Sequence, residues 1–208
     1  MKKNILKMAV VALAVFAMPT MMHAQLGNLA RKAKSAAQTA KTLTTNENLI
    51  GTEEIKVAQL AATWSYTEAG VSFAAGNAAE KAAGNALAQE VEPDLRNALS
   101  VIRPGMLKFK FNEDKTCQLL AQNKPIDGTY TISGPDITVN LSNPATTLKF
   151  NGRLDGNRIQ LSMTPDELTS FIKAALPESA DSYASKIGTV TSALEKAKNL
   201  YLALWFFK

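Results

Sequence analysis

Residues 106–163 read MLKFKFNEDKTCQLLAQNKPIDGTYTISGPDITVNLSNPATTLKFNGRLDGNRIQLSM, and the fold is decided in this stretch. Leu107, Phe109 and Phe111 fall on one side of an extended chain, with Met106, Lys108 and Lys110 on the other. That period of two belongs to a strand with one dry face. Asn112 to Lys115 turns the chain. Thr116 to Gln122 then sets Cys117, Leu119 and Ala121 against Thr116, Gln118 and Gln122, with Leu120 interrupting the pattern. The polar stretch Asn123 to Asp127, which contains Pro125, ends that strand, and Gly128 to Ser133 opposes Tyr130 and Ile132 to Thr129 and Thr131. After the turn at Gly134-Pro135-Asp136, Ile137, Val139 and Leu141 alternate with Thr138 and Asn140. After Asn143-Pro144, Leu148, Phe150 and Leu154 alternate with Lys149, Asn151 and Arg153. Asp155-Gly156-Asn157 holds an Asp-Gly pair suited to a tight hairpin, and Ile159, Leu161 and Met163 close the run. Short strands that follow one another at this spacing form an antiparallel meander, because parallel neighbours need long crossovers.

Working outward, Ile55 to Phe73 reads as the first strand of the same sheet, with Leu60, Ala62, Trp64 and Tyr66 on one face. A helical insertion near 74–102 keeps Ala83, Leu87, Val91, Leu95 and Ile102 at helical spacing. Pro93 is expected to start a second helix there, since proline suits a first turn, and Pro104-Gly105 ends the insertion. On the other side, Thr164-Pro165-Asp166-Glu167 is a capping-box helix start. Leu168, Phe171, Ile172 and Ala175 form its buried stripe. Past Pro177 a second helix is expected, with Tyr183, Ile187, Val190, Leu194 and Ala197 on one side, so that the insertion covers 164–198. Leu200 to Phe207, apolar on both faces, reads as a last strand able to pair with the one at Trp64. The count reaches eight. The expected fold is mainly β with helical insertions (α+β): an eight-stranded antiparallel up-and-down barrel or strongly curved sheet over 55–208.

Ala62-Thr63-Trp64-Ser65-Tyr66, Val71-Ser72-Phe73, Lys81-Ala82-Ala83-Gly84 and Pro104-Gly105-Met106-Leu107-Lys108-Phe109 resemble the lipocalin-like domain-of-unknown-function family 4923 of secreted Bacteroidetes proteins. The similarity runs from about Leu60 to the C-terminus. Ala62 stands where the family tends to carry glycine. The resemblance implies a secreted, barrel-like fold and supplies no catalytic residue.

The chain starts with Lys2, Lys3 and Lys7, an apolar run from Met8 to Met18, and Met22-His23-Ala24-Gln25. This is the layout of a secretory signal peptide over 1–24, cleaved after Ala24. Pro19 cuts the run short of a transmembrane anchor, so the mature chain is expected to be exported to the periplasm or beyond. Losing the leader's lysines takes the formal charge from +5 to near +2, a value that implies no nucleic-acid partner. His23, the single histidine, leaves with it. A mature chain without histidine excludes Ser-His-Asp and Cys-His catalysis and histidine-ligated zinc. Cys117, the single cysteine, is expected to be a buried, inert thiol. The segment 25–54 is expected to be helical or flexible. Its Arg31, Lys32, Lys34 and Lys41 lie in a basic, alanine-rich stretch, which reads as a loosely docked helix in preference to a membrane-surface one.

Three function classes follow. A small apolar ligand inside the barrel would be lined by Trp64, Tyr66, Phe109, Phe111, Tyr130, Phe150, Met163 and Trp205, which are equally the candidate core. A cell-envelope interaction protein would have that core filled and would hold a protein partner elsewhere. A membrane barrel is disfavoured because the central strands read as shorter than lipid-spanning ones. An enzyme would have to draw on Glu53-Glu54, Glu90-Glu92, Asp114 or Asp166-Glu167, each with a simpler role in a solvated surface, a turn or a helix start. No nucleophile elbow, phosphate loop or metal-ligand cluster appears. The expectation is a non-catalytic protein with neither cofactor nor metal.

Overall fold

In the computed structural model, residues 48–74, 76–100, 102–121, 124–142, 144–176, 188 and 200–208 are described, all within the unit Thr45–Lys208. The leader expected over 1–24, the basic stretch Gln25 to Thr45, and the helix expected at Tyr183 to Ala197 lie outside them, apart from Gly188, which is helical.

Eight antiparallel strands close into a barrel in chain order: β1 (Ala62–Phe73), β2 (Leu107–Phe111), β3 (Thr116–Ala121), β4 (Lys124–Ser133), β5 (Asp136–Ser142), β6 (Ala145–Asp155), β7 (Arg158–Met163) and β8 (Leu200–Phe207). Closure is made by β1 against β8, where Tyr66 faces Phe206 and Val71 faces Leu202. Gly134 and Gly156 take positive φ in the tight turns before β5 and β7, a conformation that glycine adopts without a Cβ penalty.

The period-two pattern is realised as expected. In β2 and β5 every second residue is buried, and Phe109 and Val139 are fully enclosed. Some boundaries move. β4 starts at Lys124 and takes in Pro125, which faces Leu120 and is exposed near the strand's start, where a missing N–H is tolerated. The first strand starts at Ala62 instead of Ile55, because Val57–Leu60 winds into one helical turn, α1. Leu60 is therefore not a strand residue. Its carbonyl accepts a 2.7 Å hydrogen bond from Trp64 Nε1, and the Lys208 ammonium sits 5.3 Å from the Trp64 ring centroid.

β1, β4 and β6 reach 12, 10 and 11 residues, so strand length does not speak against lipid as the sequence suggested. The faces do. Lys108, Lys110, Asp127, Thr129 and Lys149 point outward while the rings point in, the reverse of a barrel standing in a bilayer. No described helix is long and apolar enough to cross a membrane.

The insertion after β1 is one helix, α2 (Ala78–Ala98), instead of two, with Pro93 inside it. Proline there deprives the Gln89 carbonyl of its helical donor. Gln89 and Pro93 are both exposed, so water can replace that donor. Asn77 caps α2 by accepting from the Ala79 and Glu80 amides. The buried stripe is Gly84, Ala88, Val91, Leu95 and Ala98, while Ala83 is exposed. β2 pairs with β1 only from Ala62 to Ser65, and α2 runs against β1: a Cβ on Gly84 would come within 2.6 Å of the Phe73 ring. α3 (Pro165–Ala175) has the expected capping box, Thr164 to Glu167, and buries Leu168, Phe171 and Ile172.

Candidate functional site

Trp64, Tyr66, Phe109, Phe111, Tyr130, Phe150 and Met163 are all at least 97% buried. Phe109 stands at the centre, with ring centroids at 5.4 Å to Phe111, 5.8 Å to Phe150, 6.1 Å to Phe171 and 5.6 Å to Phe206. Phe111 meets Tyr130 edge-on at 5.0 Å, and Tyr66 meets Phe206 at 5.8 Å. These are offset and edge-to-face contacts of the kind that stabilise cores. Tyr130 donates its hydroxyl to the Asn112 carbonyl at 2.7 Å, which satisfies the buried O–H.

Trp205 does not join them. It stands half-buried on the outer face, its ring 4.6 Å from the Arg158 guanidinium carbon. The inward position belongs to Phe206, and neighbours in a strand point opposite ways. Because β8 is apolar on both faces, its phase could not be read from hydrophobicity. The pairing of Phe206 with Tyr66 settles it. Phe171 and Phe206 are the ring partners missing from the sequence-based lining set.

The candidate carboxylates scatter. Asp114 accepts from Thr116 Oγ1 at 2.6 Å and from the Thr116 amide at 3.0 Å, and these bonds hold its pKa below the ordinary value. Glu92 pairs with Arg96 at 3.9 Å. Glu167 caps α3 through the Thr164 amide at 2.7 Å. Glu53 and Glu54 lie elsewhere, on a cleft that the sequence did not reveal. Among the described residues no three His, Cys, Asp or Glu side chains form a group able to hold a metal ion. Cys117 is buried on its strand's dry face, and burial, helped by the nearby Asp127 charge, pushes its pKa up to about 11, so it stays a thiol near neutrality.

That cleft encloses about 610 Å³ where Leu49 to Ile55, the end of β1, the start of α2 and Gly152 to Asp155 of β6 meet. One wall is a strap of non-strand chain fastened by long-range bonds. The Phe73 amide donates to the Asn48 carbonyl at 2.9 Å, and the Ile50 amide donates to the Phe73 carbonyl at 3.2 Å. The Leu49 carbonyl accepts from Gln160 Nε2 at 3.2 Å and Arg153 Nη1 at 3.4 Å. The Asn151 side chain grips Gly51 twice, accepting from its amide at 2.6 Å and donating to its carbonyl at 3.1 Å. The Ile55 amide donates to the Gly134 carbonyl at 3.0 Å, and Ile55 packs over Gly152. A Cβ on Gly51 would run into the Gly152 carbonyl, so only glycine lets the strap lie this close.

Beneath the strap runs a buried polar chain. Ser72 Oγ and Gln160 Nε2 each reach Ser162 Oγ at 2.8 Å, while Gln160 Oε1 is buried with no hydrogen-bond partner among the described residues. None of the eight residues expected to line a ligand lines the cleft. Its residues are Leu49 to Ile55, Gln59, Phe73, Ala74, Gly76, Glu80 and Gly152 to Asp155. A short strap with no periodic pattern carried no signal for it in sequence.

No curated protein and no solved structure matches the chain significantly. A family model described as a lipocalin-like domain (DUF4923) matches residues 28–208, which take in every strand of the barrel and the strap beside it, and the chain belongs to that family.

Proposed function

We propose that this chain is a non-catalytic binding protein, exported to the periplasm or beyond, that holds a small molecule in the strap-walled cleft. The barrel serves as the frame. The observation that carries this reading is the cleft's place and size: about 610 Å³, outside the packed aromatic set. That volume falls within the range of roughly 300–1,000 Å³ typical of small-molecule sites. The strap's bonds to β1, β6 and β7 support a preformed wall, which reduces the ordering cost of binding. The basic start, apolar run and small-residue end of residues 1–24 support export.

The test is native mass spectrometry of protein purified gently from its own host. A mass excess is expected that disappears on denaturation. Ala74→Trp, which fills the cleft from its rim, should remove that excess, whereas Phe150→Leu inside the barrel should keep it. An excess that survives Ala74→Trp and vanishes with Phe150→Leu would return the ligand to the barrel interior.

A further inference from the structure

The cleft's lining has two chemistries. Leu49, Ile50, Ile55, Phe73 and Leu154 supply apolar surface, enough to receive a hydrocarbon body. Glu53, Glu54, Glu80 and Asp155 supply carboxylates, against Arg153 as the single basic side chain among the described residues of the lining. The described lining is thus net negative on a chain whose formal charge is +5, or near +2 without its first 24 residues.

The acids are not equivalent. Glu80 is committed to α2, where its Oε2 accepts from the Gly76 amide at 2.7 Å and the Asn77 amide at 3.2 Å. Glu53, Glu54 and Asp155 are exposed and have no ion pair among the described residues. Arg153 turns one arm of its guanidinium onto the strap, toward the Leu49 carbonyl, and so serves the wall. The carboxylates do not converge on a point that could hold a metal ion. A spread of negative charge around an apolar floor suits a cation that carries its own hydrophobic body.

We infer that the cleft takes a cationic amphiphile, a small molecule with an ammonium group on an apolar body. This inference rests on the proposal that the cleft is the binding site. The apolar part lies against Phe73, Ile55 and Leu154, and the ammonium faces Glu53, Glu54 and Asp155. An anionic amphiphile of the same size meets the carboxylates of Glu53, Glu54 and Asp155 and is repelled.

Three probes with one tail and different heads test this: octylamine, octan-1-ol and octanoate, titrated at neutral pH into the isotope-labelled chain and followed by amide shifts. Octylamine, present as its ammonium ion, is expected to shift amides of Leu49 to Ile55 and Gly152 to Asp155 and to bind roughly tenfold tighter than octanol. That preference should shrink as salt is raised, since exposed charges are screened over about 10 Å at 0.1 M. The triple variant Glu53→Gln, Glu54→Gln, Asp155→Asn changes only exposed side chains, so it is expected to stay folded by circular dichroism. It should abolish the preference for the amine and keep octanol binding. If octanol and octanoate shift the same amides as strongly as octylamine, the cationic class is overturned while the cleft stands as the site. Shifts confined to the barrel interior, or absent with all three probes, overturn both.

Discussion

Inside the barrel, Phe109 touches four other rings, and the enclosing residues offer almost nothing polar beyond the Tyr66 and Tyr130 hydroxyls. Around the cleft the materials are reversed. Backbone groups of Asn48, Leu49, Ile50, Gly51 and Ile55 are held by amide and guanidinium side chains and by backbone groups of Phe73 and Gly134, with Ile55 as an apolar anchor. Burial of rings is worth several kcal/mol per residue and is shared by every strand that contributes one. A hydrogen bond nets about 1 kcal/mol and belongs to the two groups that make it. The interior should therefore yield all at once, and the strap one fastening at a time. A fold arranged this way keeps a stable frame beside a cleft wall that can open locally.

The most damaging blow to that contrast is Phe109→Ala. Truncating a fully enclosed phenylalanine costs about 3–5 kcal/mol, so the urea midpoint should fall steeply with a single transition seen by all probes. A second, separate transition would show that the interior is not one cooperative unit. Gly51→Ala acts on the other side. Its Cβ meets the Gly152 carbonyl, an overpacking that costs roughly 1–3 kcal/mol, and the strap should lift before the barrel opens. Hydrogen exchange should then quicken at Ile50, Gly51 and Ile55 while strand amides keep their protection. Equal acceleration throughout would make strap and barrel one unit.

The mildest effect is a pH dependence that only the barrel should show. Burial raises the Cys117 pKa to about 11, and burial together with the Glu68 charge raises that of Tyr66 to about 12. Both groups are neutral when protonated, and the fold favours that form. Their contribution is complete below the unfolded pKa values, near 9 for the thiol and 10 for the phenol, and is lost as pH climbs through 11 to 12. Urea midpoints should decline from about pH 9 upward. The strap's backbone, Asn151 and Gln160 bonds involve no titratable group, so its local exchange, corrected for intrinsic rate, should stay level. A parallel loss at the strap would tie it to the barrel's ionisation.

Sequence patterning reached the barrel and stopped short of the cleft, for a physical reason. Phe109 and Val139 announce their face because a strand's geometry repeats every two residues, and that repetition is local. Thr164, Pro165 and Glu167 announce a helix start in the same local way. The strap is made by partners about a hundred positions away: Asn151 for Gly51, Gln160 for Leu49. Nothing in Asn48 to Ile55 repeats. Trp205 and Pro93 misled for a related reason. Local preference offers two answers for each, and packing chooses: Phe206 claims the interior, and the exposed side of α2 tolerates a carbonyl without its donor.

β1 carries one residue more than β8 between Tyr66 and Glu68, and the Thr67 hydroxyl donates to the Trp205 carbonyl there at 3.1 Å. The extra residue acts as a shift of reading frame. Before it the inward letters fall on even positions, Trp64 and Tyr66; after it they fall on odd ones, Ala69, Val71 and Phe73. A strand kept in a single frame would have offered the acid of Glu68 to the rings and turned Phe73 away from the cleft it helps to line. One threonine thus lets a single strand serve two compartments in succession, the dry interior with its first half and the wall of the cleft with its last residue.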